Sequence, residues 1–87
     1  MKTYKARLRD GFRVSQLLRE LGFELDFIYS YEDGVYRLLN DDLSGVTDAE
    51  TVNKQKQLNK IIIIDNRTLE LVAYNFDDDV IEQAIIK

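Results

Sequence analysis

Six carboxylates, Glu32, Asp33, Asp41, Asp42, Asp48 and Glu50, fall between positions 32 and 50. Closely spaced negative charge is what a nucleic-acid backbone presents to a basic groove. A surface built from these residues would occupy such a groove on a partner protein. The plainer reading is a solvated acidic loop. A second charge set has the opposite sign: Lys5, Arg7, Arg9 and Arg13 near the N-terminus, with Tyr4 and Phe12 beside them. Cations interleaved with aromatic side chains can grip phosphate and stack on bases. The plainer reading here is an edge strand kept from further pairing by its charge.

Other chemistry has little to stand on. The chain contains no histidine and no cysteine. Zinc sites draw on those two residues, so no zinc site is expected. The commonest general base of enzymes is missing. Asp77-Asp78-Asp79 lacks the alternating ligands, central glycine and closing glutamate of a calcium loop. Three acids at a helix start, where the backbone dipole is positive, account for it. No nucleophile elbow, phosphate loop or dinucleotide fingerprint is present. A non-enzymatic protein without cofactor or metal is expected.

The charges divide along the chain. Residues 1–22 carry a net +4, residues 23–53 a net −7 and residues 54–87 a net −1, giving −4 overall. A length of 87 residues with 45% hydrophobic content suits a single α+β domain over 1–87. The longest apolar run, Ile61 to Ile64, falls far short of the ~20 residues that span a bilayer. Lys2 and Lys5 give a positive start, but no apolar segment follows, so an intracellular, cytoplasmic protein is expected.

Local patterns supply the elements that must position the charges. Tyr4, Ala6 and Leu8 alternate with Lys5, Arg7 and Arg9, predicting a half-exposed strand over 3–9 that Asp10-Gly11 ends. Val14, Leu17, Leu18 and Leu21 follow helical spacing, predicting a helix over 12–21 with Gly22 at its C-terminal cap. Phe23, Leu25, Phe27, Tyr29 and Tyr31 recur at every second position, and Tyr36 and Leu38 continue the alternation beyond Asp33-Gly34. This is a hairpin with a type I′ turn, pairing Tyr31 with Tyr36 and Tyr29 with Leu38. Asp26, Ser30 and Arg37 fall on the other side, which is expected to face solvent apart from Ile28 and Leu39.

Residues 40–57 are polar. Thr47-Asp48-Ala49-Glu50 fits a capping box and a short helix, and a loop is the alternative. Ile61 to Ile64 reads as a central strand covered on both faces. Asn66 and Arg67 as a two-residue loop would set Ile64 opposite Leu69 and Ile62 opposite Leu71. Asn75 or Asp77 caps a last helix whose apolar stripe is Val80, Ile81, Ala84 and Ile85.

The expected fold is a two-layer α+β sandwich: a mostly antiparallel four- to five-stranded sheet with two helices on one face, in the order β-α-β-β-loop or short helix-β-β-α. Phe27, Tyr29 and Leu38 would be buried against both helices. In size and charge, though in no motif, the chain is similar to small acidic α+β proteins of phages and other mobile elements, some of which inhibit host nucleases. The functional expectation is a protein-binding module whose acidic residues occupy a basic groove on a partner, such as a nucleic-acid-binding enzyme. The alternatives are a nucleic-acid binder using Lys5, Arg7, Arg9 and Arg13, and a structural homodimer paired through the first strand or a strand of the Ile61 hairpin.

Overall fold

The computed structural model describes residues 3–39 and 45–86. Asp41 and Asp42 of the acidic set lie outside the described residues. The elements are β1 (Thr3–Lys5), α1 (Leu8–Glu20), β2 (Phe27–Glu32), β3 (Val35–Leu38), β4 (Val46–Thr47), α2 (Ala49–Leu58), β5 (Ile61–Asp65), β6 (Glu70–Tyr74) and α3 (Asp78–Ile86). The six strands form one open sheet in the order β1-β6-β5-β2-β3-β4. β2 and β5 run parallel at its centre, and every other neighbouring pair is antiparallel. The sheet is therefore mixed, and it has more strands than expected. β4 is the added strand, formed where a polar connection was read.

The first strand and helix divide differently from the sequence reading. The strand stops at Lys5 because the Arg7 N–H donates to Asp10 Oδ2 at 3.0 Å, opening α1 at Leu8. Gly11 does not break the helix. It is buried inside α1, and a Cβ placed there would lie 1.8 Å from Ile64 Cδ1. Its missing side chain lets the helix approach β5. At the other end Gly22 adopts φ +89, with the Gly22 N–H bonded to Arg19 O and the Phe23 N–H to Leu18 O. That pair of bonds is a Schellman cap, at the glycine the sequence marks.

The first hairpin follows the alternation. Asp33 and Gly34 both have positive φ, and Tyr31 lies opposite Tyr36 and Tyr29 opposite Leu38. The second hairpin differs. Asp65 Oδ1 accepts from the Arg67 and Thr68 amides, which spreads the turn over Asn66 to Leu69. Ile64 then meets Leu71, and Ile62 meets Ala73. The slip is two residues, so no side chain changes face.

The helices cover both faces. α1 and α3 pack on Ile28, Ile62, Ile64, Leu71 and Ala73 through Val14, Leu18, Ile81 and Ala84. α2 covers the other face with Val52, against Tyr29, Ile61 and Ile63. The two-layer expectation is thus corrected to three layers. Phe27, Tyr29 and Leu38 share a face as expected, but it is the face under α2. On the other side Ile28, the expected exception, is 2% exposed, and Ser30, expected in solvent, is only 4% exposed. Asp26 is not idle either: its Oδ2 accepts from the Lys60 N–H at 2.8 Å, and its own N–H donates to Lys60 O. This reciprocal pair ties the start of β2 to the start of β5.

α2 has one buried residue, so its ends matter more than its face. Asp48, rather than Thr47, is the N-cap and accepts from the Thr51 amide at 2.7 Å. At the C-terminal end Asn75 Nδ2 donates to Lys56 O at 3.0 Å and to Asn59 O. Asn75 itself has φ 67. Asn75→Ala should therefore cost about 1–2 kcal/mol, from the lost bonds and the left-handed backbone. Asn75→Gly keeps the backbone unstrained and should cost less. Equal melting temperatures for wild type and Asn75→Ala would show that these bonds do not hold α2.

Candidate functional site

The strand register gathers one end of the sheet. Reading across the strands on the face under α2, Lys5, Glu70, Asp65, Tyr31, Tyr36 and Thr47 form one row. The Asp33-Gly34 turn rises beyond this row, and α2 starts just after Thr47. Glu32, Asp33, Asp48 and Glu50 are therefore brought to the same end of the molecule, although they come from separate stretches of chain.

Their individual roles differ. Asp33 Oδ1 pairs with Arg67 Nη1 at 2.6 Å, joining the two hairpin turns across solvent. Such an exposed pair orients more than it stabilises. Asp48 caps α2, and the Thr51 amide, followed by the Thr51 hydroxyl, holds its carboxyl below the usual carboxylate range. Glu50 lies 4.0 Å from Lys54, one turn along α2. Glu32 is exposed at the end of β2.

The basic set is not one stripe. Lys5 stays on β1, 3.9 Å from Glu70 and 3.3 Å from Thr68 O. Arg7 precedes α1, while Arg9 and Arg13 lie one turn apart on its exposed side. The early start of the helix takes Arg9 off the strand that carries Lys5, while Lys5 and Arg13 still line one small cavity with Asp10. Phe12 is 45% exposed between Arg9 and Arg13.

The same end of the sheet contains a feature outside both charge sets. An open trough of about 200 Å³ is lined by Tyr31, Tyr36, Tyr74, Ile63 and Val72, with Lys56, Thr68, Asp65 and Glu70 at its margins. The Tyr31 and Tyr36 rings are 4.7 Å apart and tilted. Tyr29 meets Tyr36 edge-on at 6.4 Å. Burial pushes the Tyr74 phenol above its ordinary range. Burial also raises Tyr29, against the opposing effect of its hydrogen bond with Thr47. Both rings are neutral at physiological pH.

Lys56 Nζ sits 5.2 Å from the centroid of Tyr74. Ligand sites for whole small molecules run to about 300–1,000 Å³, and this trough is smaller, on the scale of one side chain. Asp65 and Glu70 were not singled out from sequence. They flank the second turn, and only the pairing of β5 with β2 places them beside the tyrosines. The alternating Tyr31 and Tyr36 were the visible signal.

Among the described residues no group of three Asp or Glu side chains converges as a metal site. Asp78 and Asp79 occupy the first turn of α3, where the helix dipole favours them. Among the described residues, no helix is long and apolar enough to cross a membrane. No protein-family model, curated protein or solved structure matches this chain.

Proposed function

We propose that this protein is a non-enzymatic binding module that docks onto another protein through the acidic end of its sheet. The target is a basic surface of the kind that holds nucleic acid. The register that brings Glu32, Asp33, Asp48 and Glu50 to one end is the observation that supports this reading. An inhibitor carried by a phage or another mobile element would act in this way.

One observation favours a second reading. Phe12 is exposed among Arg9 and Arg13 on α1, the mixture of ring and cation that single-stranded nucleic acid requires. The net charge of −4 weighs against it.

The homodimer reading loses one of its two surfaces. β5 and β6 are both interior strands, so neither can pair with a second copy. Among the described residues the edges, β1 and β4, are three and two residues long and offer little for pairing.

One experiment separates the first two readings. Tagged protein is used to capture partners from an extract of its source cells. The captured protein should bind nucleic acid, and duplex DNA should compete it away. Glu32→Lys with Glu50→Lys should abolish capture while lowering the melting temperature only slightly, because neither side chain is buried and the cost is confined to the Lys54 pair and the helix dipole at Glu50. Capture should also weaken steeply with salt. Capture indifferent to the reversal and to DNA would overturn the proposal. Direct binding of the protein to labelled DNA, lost on Arg9→Ala with Arg13→Ala, would select the second reading instead.

A further inference from the structure

We infer that the tyrosine trough receives a single arginine side chain from the partner's basic surface. This rests on the proposal that the partner is basic, and it names the group that is recognised. The walls of the trough are aromatic rings. Tyr31 and Tyr36 are packed at 4.7 Å, and Tyr74 stands across the floor of Ile63 and Val72. A ring face attracts cations through its quadrupole. Tyr74 already shows this within the molecule, with the Lys56 ammonium 5.2 Å from its centroid.

The margin carries Asp65 and Glu70, directly opposite each other on neighbouring strands. Glu70 already draws Lys5 to 3.9 Å. Asp65 uses Oδ1 on the turn amides of Arg67 and Thr68, and Oδ2 takes no part in that turn. Aromatic planes beside carboxylates match a guanidinium better than an ammonium. The guanidinium is flat, stacks on rings and donates in a fork.

Charge also decides against the obvious competitor. Stacked tyrosines could hold the bases of a single strand. Asp65 and Glu70, set against Lys56 and the Lys5 ammonium 3.9 Å from Glu70, leave the trough with no surplus of positive charge to hold phosphate.

The test uses two short peptides that differ only in arginine or citrulline at one central position, titrated into the full chain. Citrulline keeps the shape and removes the charge. Binding is followed by amide chemical shifts and by tyrosine fluorescence, which is clean because the chain has no tryptophan. The arginine peptide should bind about tenfold more tightly than the citrulline peptide, with shifts centred on Tyr31, Tyr36, Asp65, Glu70 and Tyr74. Glu70→Gln and, separately, Tyr74→Leu should each remove most of that preference. A melting curve establishes that each variant is folded, and Glu70→Gln carries the test if Tyr74→Leu is not.

Equal binding of the two peptides would overturn the inference. So would a thymidine oligonucleotide that shifts the same residues when the arginine peptide does not. Capture of the partner that is lost on Glu32→Lys with Glu50→Lys, but kept by Glu70→Gln and Tyr74→Leu, would overturn the trough and leave the acidic end standing. Arginine-selective binding with capture indifferent to the Glu32 and Glu50 reversal would do the converse.

Discussion

Alanine at Ile62 should lower the unfolding free energy by about 2–5 kcal/mol, and alanine at the adjacent Ile61 should cost nearly as much. Both side chains are 0% exposed. Ile62 points into the core formed with α1 and α3, and Ile61 into the one beneath α2. In a sheet covered on one face only, successive residues would differ sharply, because one of each pair would face water. A small domain has about 5–15 kcal/mol in total, so either variant should melt far earlier in a urea titration. Leu58→Ala is the control. Leu58 is 79% exposed at the end of α2, and the change should stay within about 0.5 kcal/mol. If Ile61→Ala proves as mild as Leu58→Ala, α2 does not cover the sheet and the third layer is wrong.

The second large effect lies at Gly11 and is set by its neighbour. Glycine inside a helix normally loses about 1 kcal/mol relative to alanine, so Gly11→Ala would stabilise an open helix. Here the new Cβ meets Ile64 Cδ1 at 1.8 Å, in a side chain that is fully buried. Forcing a methyl group into a packed core costs about 1–3 kcal/mol. The strain should win, and Gly11→Ala should destabilise the protein by up to about 2 kcal/mol after the helical gain is subtracted. Ile64→Val removes the colliding carbon, at its own cost of about 0.5–1.5 kcal/mol. In that background only the 3.1 Å contact with Cγ1 remains tight, and Gly11→Ala should cost much less than in the wild type. A double-mutant cycle measured by denaturant unfolding reads this coupling directly. Additive effects would mean that α1 does not approach β5 through Gly11.

These two sites also show what the residues disclose by themselves. The four isoleucines announce a strand buried on both faces, and the Asp33-Gly34 turn announces its hairpin with the observed register. In both cases the signal is local, set by side-chain alternation or by the backbone angle a residue tolerates. Gly11 was read as a stop because glycine usually is one. Its actual role depends on a strand some fifty positions away. The same limit misassigned Phe27, Tyr29 and Leu38. Alternation tells which residues share a face, but not which helix lies over it. α2 buries Val52 alone, too weak a stripe to declare itself.

The second hairpin was misread for a different reason. The Asp65 carboxylate bonds to two amides and enlarges the turn, a competition between side chain and ladder that propensity does not resolve. At the candidate site the acids of 32–50 were visible as a block. The trough was not, because Asp65, Glu70 and the tyrosines meet only through the parallel register of β2 with β5.

That parallel pairing also shapes how the chain reaches this fold. Each hairpin, β2 with β3 and β5 with β6, closes over a short turn, an event of roughly microseconds. The junction between them joins Phe27 to Ile61 and must close a long loop before any contact rewards it. α1 carries the chain over this junction on one face, and α2 rests over it on the other. The closing of this junction, rather than of either turn, is the step expected to limit the folding rate. Until it closes, the isoleucine edge of β5 stands open to any other strand that finds it first.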